Sequence, residues 1–404
     1  MDRQLCPHLL RPRRHRRRGR PRSHREHAPI AETLCLIKDF FMHSSYGAVV
    51  VGAGQSGLAA AHHLRKRGLS TVVVESGPEP VGSWPHYYES LTLFSPTKYS
   101  ALPGLEFPGD PDHYPHRNEV VAYLRQYAAT LDADIHTSQR VTDVDYDGQL
   151  FTAHTDTGQR YTAPRLIAAT GGFGTPTIPQ LPGQADFTGN ILHASRYRSP
   201  ADFAGQSVIV VGAGNSAVQI ATELAETSTV TLASRTPVKF VPQRPFGRDM
   251  HFWFTVSGLD TLPVGHLIGD PPTAPVFDSG RYRAALSAGK PLAREMFTGL
   301  EADTAIWPDA TRCRVDTIIL ATGYHPNLGY LAGLGALDDT GKPLHRQGAS
   351  TTHPGLGYLG LEWQRSLSSA SLRGVGRDAR RLSAHLDTVV SRKSSARNEI
   401  RQRR

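Results

Sequence analysis

The sequence predicts an α/β fold of two Rossmann-like dinucleotide-binding domains, one inserted into the other. Two duplications carry that expectation. A glycine fingerprint stands at Gly52-Ala53-Gly54-Gln55-Ser56-Gly57 and recurs at Gly212-Ala213-Gly214-Asn215-Ser216-Ala217. An apolar run ending in Ala-Thr-Gly occurs before Gly171 and again before Gly323. With 404 residues, 39% hydrophobic content and 38 glycines, the chain has material for two or three domains with real cores.

The first unit reads in order. Residues 46–51 form an apolar run rich in β-branched residues, a buried parallel strand. It runs into the first fingerprint, a helical stretch ends at Gly68, and the strand 71–74 leads to Glu75. Gly52 makes the tight turn, Gly54 lets backbone amides approach a pyrophosphate, and Gly57 permits close helix–strand packing. The helix N-terminus, with Gln55 and Ser56 in its first turn, favours phosphate, and Glu75 can accept hydrogen bonds from a ribose diol. This site therefore suits an unphosphorylated adenosine cofactor.

The second unit repeats the pattern: strand 207–211, a helix to about residue 226, and strand 229–233. Here Ser234-Arg235 follows in place of an acid, which removes repulsion and supplies charge-assisted bonds to a 2′-phosphate. NADPH is the cofactor expected there. Prolines follow each Ala-Thr-Gly: Pro176, Pro179 and Pro182 after the first, Pro326 after the second. Small residues and stiff prolines suit a chain changing sheets. The expected layout is a disordered basic extension (1–45), a first domain in two parts (46–179 and 317–390), an inserted domain (180–316) and a basic tail (391–404).

Charge sharpens this layout. The net +9 divides unevenly, because residues 1–45 hold 11 Lys/Arg against 4 Asp/Glu and residues 391–404 hold 6 against one. The body between them is slightly acidic, so the pI reflects the ends and gives no ground for nucleic-acid binding. The arginine run 11–20 has no apolar periodicity and is expected to be disordered, with Met42 a plausible true start. A mitochondrial presequence or a DNA- or membrane-binding arm are the competing readings of that run. No continuous apolar stretch supports a secretory signal or a membrane span. Cys6, Cys35 and Cys313 form neither a disulfide framework nor a metal cluster. A cytoplasmic protein with no metal, no nucleic-acid partner and no membrane partner is expected.

Between the fingerprints lies Phe187-Thr-Gly189-Asn-Ile-Leu-His193-Ala-Ser-Arg-Tyr197-Arg198. With Gly82-Ser83-Trp84 and the two Ala-Thr-Gly motifs, this segment resembles the flavin-containing monooxygenase family across about residues 46–390. The segment from Pro354 through Gln364 to Asp378 is similar to bacterial CzcO-type flavoprotein oxidoreductases, and plant indole-pyruvate monooxygenases resemble the chain more distantly. The resemblance implies FAD at Gly52, Gly54, Gly57 and Glu75, and NADPH at Gly212, Gly214, Asn215, Ser216, Ala217, Ser234 and Arg235, with Arg198 on the same phosphate. It also places Trp84, Thr170, Gly323 and Gln364 among the cofactor contacts. The chemistry it implies is hydride transfer from NADPH to flavin, O₂ addition at C4a, and oxygen transfer to a small nitrogen- or sulfur-containing compound or a keto acid. The protein's part is orientation and exclusion of water.

Ser95, His193 and Asn215 are the candidate catalytic residues. Ser95 stands where many relatives carry an amide, and a hydroxyl offers one donor where an amide offers two; it also reads as a turn residue before Pro96. His193 reads equally as a hydrogen-bonded interdomain residue, and Trp84 as core. His62 and His63 read as solvated or partly packed. Phe246, Phe252, Trp253 and Phe254 read as inserted-domain core, with a substrate channel the alternative. Two further functions compete with a monooxygenase. One is an NADPH-dependent flavoprotein reductase serving a quinone or protein acceptor; its disulfide branch lacks a paired-cysteine relay. The other is a non-catalytic flavin-binding sensor.

Overall fold

The structure, a computed structural model, describes residues 43–268 and 275–402. Most of the expected basic extension lies outside the described residues, but His43–Ser45 is a strand that pairs in parallel with Arg160–Ala163.

Two parallel sheets share a four-strand arrangement, with the Ala-Thr-Gly strand beside the fingerprint strand and two more strands beyond it. In the first, Leu356–Tyr358, Leu166–Ala168, Ala48–Val51, Thr71–Val74 and Asp134–His136 lie side by side, all parallel. In the second the order is Asn190–His193, Thr317–Leu320, Ser207–Val211, Thr229–Ser234 and Leu292–Glu295, again all parallel. The central strands are buried along their length, as parallel strands covered on both faces must be. The short hairpin His345–Arg346 and Ala349–Ser350 extends the first sheet at one edge. A mixed sheet packs beside it, with antiparallel strands from residues 141–163 and His43–Ser45 in parallel at its edge.

The order corrects one boundary. Thr317–Leu320 does not return to the first sheet; it lies inside the second, between Asn190–His193 and Ser207–Val211. The inserted unit thus continues beyond residue 316. The two crossings meet as a short antiparallel pair, Thr175–Pro176 with Tyr324–His325. Thr177 N donates to Gly323 O at 2.9 Å, and Thr322 Oγ1 donates to Thr177 O at 2.6 Å. Each Ala-Thr-Gly also closes its own fingerprint. Gly52 has φ +101°, and a Cβ on it would stand 2.8 Å from Ala169 O; on Gly212 it would stand 2.4 Å from Ala321 O.

The C-terminal helix Leu372–Gln402 packs on the first fingerprint helix, Gln55–Arg65. It runs on through the segment expected as a separate basic tail. Lys393 is engaged, its Nζ donating to Tyr146 OH at 3.0 Å and Gly148 O at 3.1 Å.

His63 sits at this helix–helix contact. Burial lowers its pKa most, with neighbouring His62, Lys66 and Arg380 adding to the effect against a hydrogen bond with the Gly376 backbone, and the result is about 4. The folded protein keeps His63 neutral down to that pH, whereas the unfolded chain binds the proton near 6.5. The resulting stability is present in full above about pH 6.5 and is lost as pH falls toward 4. His63→Gln is expected to flatten the acid limb of a plot of unfolding free energy against pH by about 1–2 kcal/mol, allowing for the residue's partial exposure. An unaltered limb would contradict this.

Candidate functional site

Both fingerprint helices begin without a side-chain cap. Gly54 precedes Gln55–Arg65 and Gly214 precedes Asn215–Leu224, each in extended backbone, and neither first turn carries an acidic residue. Their leading amides therefore point outward without a protein acceptor, which is the requirement for binding phosphate. Space is available as well, since a Cβ on Gly214 would meet nothing within 4 Å.

The acid of the first site is held in place. Glu75 is 5% exposed; its Oε2 accepts from Ala53 N at 2.6 Å and its Oε1 from Gly77 N at 2.7 Å and Ser76 Oγ at 3.2 Å. A carboxylate has about four acceptor positions, so one remains for a ribose hydroxyl. Trp84 Nε1 donates to Gln55 Oε1 at 2.8 Å, which fixes the indole against the first turn of the fingerprint helix. Gln364, 3% exposed, accepts from Leu361 N at 3.3 Å, while its Nε2 is buried without a partner. An orphaned buried donor of this kind needs an acceptor. One uncapped amide turn, a free carboxylate position and an orphaned amide fit a dinucleotide along the first unit.

The register of the second unit shows what replaces Glu75. Val51 pairs with Val74, and Val211 pairs with Ala233, so Ser234 takes the position of Glu75 and Arg235 follows it. Arg235 is exposed and makes no hydrogen bond or ion pair among the described residues. Arg198 is occupied instead, donating from one terminal nitrogen to Ser195 O at 2.8 Å and Tyr197 O at 3.0 Å.

The three candidate catalytic residues separate. Ser95 Oγ lies 2.9 Å from Ser100 Oγ in the turn around Pro96. His193 is 4% exposed and has both ring nitrogens engaged: Nδ1 accepts from Ser195 N at 3.1 Å and Nε2 donates to Gly323 O at 3.1 Å. Burial depresses its pKa, so the ring stays neutral and bridges the signature segment to the second Ala-Thr-Gly. Thr170 Oγ1 donates to Asn327 O at 3.1 Å, the matching tie from the first Ala-Thr-Gly. Asn215 spans from the head of its helix to a neighbouring strand, Nδ2 to Pro275 O and Oδ1 from Phe277 N, both at 3.3 Å. Ser216 is exposed and Ala217 is buried beneath the turn.

The aromatic stretch is not core. Phe246 is 92% exposed and Trp253 36% exposed, and Phe252 and Phe254 are only partly buried. The residue beside them that the composition conceals is His251, 5% exposed. Its Nδ1 lies 2.9 Å from Asp249 Oδ1, which also accepts from the His251 backbone N at 2.8 Å. Gln243 Nε2 donates to Asp249 Oδ2 at 2.8 Å and to Phe94 O at 3.0 Å, and the Tyr114 hydroxyl donates to the same Oδ2. Burial of Asp249 opposes its charged form, but hydrogen bonds from His251, Tyr114 and Gln243 outweigh it and bring the carboxyl to about 2. Asp249 is thus an anion that ties the inserted unit to the first. A second buried carboxylate does the same: Asp260 receives Arg373 Nε at 2.6 Å and its terminal nitrogen at 3.1 Å.

Two dinucleotide folds facing a shared junction, with a buried acid closing the second strand of one and a free arginine following that of the other, define a nucleotide-dependent flavoprotein oxidoreductase. Residues 49–245 match the pyridine nucleotide-disulphide oxidoreductase family. A CzcO-like oxidoreductase of Geobacillus kaustophilus is 33% identical over 82% of this chain and 95% of its own. An indole-3-pyruvate monooxygenase of Oryza sativa is 31% identical over 75% of this chain and 82% of its own. The solved flavin-containing monooxygenase of Stenotrophomonas maltophilia superposes with TM-score 0.75 at 30% identity, covering 85% of this chain and 99% of that one. The chain belongs to the flavin monooxygenase family, together with the CzcO-like oxidoreductases. It is an FAD-dependent oxidoreductase of a family that uses FAD and NAD(P)H. Among the described residues no helix is long and apolar enough to cross a membrane, and no group of three or more His, Cys, Asp or Glu is placed to hold a metal.

Proposed function

We propose that the protein is an NADPH-consuming, FAD-dependent monooxygenase that transfers one oxygen atom from O₂ to a small organic substrate at a nitrogen or sulfur centre, or to a keto acid. The observation that carries this reading is the pair of equivalent, uncapped fingerprints whose second strands end differently, in Glu75 in one unit and in Ser234-Arg235 in the other. The first would hold FAD by its pyrophosphate and adenine ribose, with Gln364 as a further donor; the second would hold the 2′-phosphate of NADPH through Arg235. FAD, when bound, supplies hydride acceptance and oxygen activation. The residues of this chain bind and orient both nucleotides, and His193 fixes the junction between them. The likeness to an indole-3-pyruvate monooxygenase keeps a keto acid among the substrates. The three cysteines include no C-x-x-C pair, which disfavours a dithiol relay.

Purified protein mixed with NADPH is expected to bleach its flavin within seconds and, with ¹⁸O₂ and a substrate panel, to give labelled product. Arg235→Ala is expected to raise KM for NADPH about 10–100-fold while leaving NADH nearly unaffected, the effect of a charge-assisted phosphate contact. Hydrogen peroxide as the sole oxygen product across the panel, with anaerobic quinone reduction, would establish the reductase instead. Bound flavin that NADPH never bleaches would indicate a sensor.

A further inference from the structure

We propose that His251 is a catalytic base that removes the proton from an ammonium substrate, with Asp249 as its positioning partner; this rests on the monooxygenase reading above. Nitrogen can accept an oxygen atom only through its lone pair, and an alkyl amine at neutral pH has that lone pair occupied by a proton. An enzyme that oxygenates such amines therefore gains from a base beside the substrate.

His251 has the attributes of that base. Asp249 receives its Nδ1–H, which leaves the lone pair on Nε2. Asp249 is fixed by Tyr114, Gln243 and the His251 backbone, so the imidazole has one orientation. An anionic carboxylate there also stabilises the imidazolium formed on proton uptake, as in other Asp–His pairs that support proton transfer. Nε2 has no partner among the described residues, so its acceptor position remains available.

The location is the junction of the two nucleotide units. The ring stacks on Phe94 at 5.9 Å and Tyr99 at 6.1 Å, the residues that flank the Ser95 turn of the first unit. Phe277 lies 5.9 Å from the same ring and stacks on Phe94 at 5.3 Å, and its backbone N is held by Asn215 at the head of the second fingerprint helix. One aromatic cluster, Phe94, Tyr99 and Phe277 around His251, thus links the Ser95 turn of the first unit to the head of the second fingerprint helix. The step is a proton transfer: the N–H bond of the ammonium breaks, an Nε2–H bond forms, the freed lone pair remains on nitrogen, and the imidazolium returns its proton to solvent after the product leaves.

Two probes of similar shape separate this role from packing. N,N-dimethylaniline is neutral at pH 7, whereas N,N-dimethylbenzylamine is an ammonium. With wild-type holoenzyme and NADPH at pH 7, both N-oxides are expected. In His251→Asn the ratio of kcat/KM for benzylamine over aniline is expected to fall about 100-fold, and in Asp249→Asn about 10-fold or more. In His251→Ala added imidazole should restore the ratio in part, which repacking alone would not do. An equal fall for both probes, an unchanged ratio, or a wild type that oxygenates only the aniline overturns the role of His251. A wild type that bleaches with NADPH yet oxygenates neither amine removes amine oxygenation and His251 with it; one that never bleaches removes the monooxygenase reading itself.

Discussion

Gly57→Ala is expected to abolish the folded, FAD-bound protein, whereas Gly54→Ala, three residues earlier, should fold and lose FAD. At Gly57 an added Cβ would lie 1.7 Å from Gly52 O and 3.3 Å from Val50 Cγ1, both part of the rigid strand–turn unit. The helix would have to move off the sheet that it covers. Overpacking of this kind against backbone costs about 3 kcal/mol or more in a buried site. At Gly54 the backbone is extended, with φ −74°, and the nearest atom to a new Cβ is Gly82 Cα at 3.7 Å, an ordinary contact. The methyl group would then disturb only the approach of a pyrophosphate to the uncapped amides, weakening FAD by about 100-fold, or roughly 3 kcal/mol. The second fingerprint supplies an internal control, because Ala217 occupies the place of Gly57 and is fully packed there. Thermal unfolding and the flavin content after gel filtration read the two variants separately. A Gly57→Ala protein with wild-type Tm and flavin would sink the packing argument; a Gly54→Ala protein that keeps its flavin would move the pyrophosphate elsewhere.

Both duplications, the fingerprints and the two Ala-Thr-Gly closures, were legible because strand–glycine–helix chemistry is local. The sheet that receives each closing strand was not. Residues 166–168 and 317–320 are both short apolar runs followed by Ala-Thr-Gly, and nothing within either run distinguishes them. Their fate is set by distant partners. Asp316 Oδ2 accepts from Ser207 N at 2.8 Å, and Thr317 Oγ1 donates to Gln206 Oε1 at 2.8 Å, drawing the second run beside the strand 207–211. The inserted-domain aromatics were misjudged for a related reason. Hydrophobicity placed Phe246 and Trp253 in the core, but the segment is anchored by polar residues, Gln243, Asp249, His251 and Asp260, whose partners lie more than 100 residues away at Phe94, Tyr114 and Arg373. A buried aspartate at the N-cap of an otherwise apolar helix is the one local signal that marked it, since the Asp249 side chain accepts from His251 N.

The anchor at Asp260 has the second large expected effect. Its side chain is 3% exposed and that of Arg373 is 10% exposed, and the two meet through a bidentate contact. Arg373 also donates to Thr255 Oγ1 at 3.0 Å and lies 5.7 Å from the Tyr99 ring centroid. Ser368 N and Oγ donate to Asp260 O at 3.0 and 2.8 Å. One aspartate therefore binds the inserted unit to the start of the C-terminal helix by both side chain and backbone. Forming such a pair returns little net stability, because desolvating two ions offsets most of their attraction; removing one partner is different, since it leaves the other charge buried and alone. Asp260→Ala is accordingly expected to lower stability by about 3–5 kcal/mol, while the double variant Asp260→Leu with Arg373→Met should recover most of that loss. Urea denaturation of the holoenzyme measures both. A double variant as unstable as the single one would show that the backbone bonds from Ser368, rather than the ion pair, hold the two units together. Recovery of stability in the double variant without recovery of NADPH-dependent bleaching would instead assign the ion pair to setting the geometry of the junction in which His251 sits.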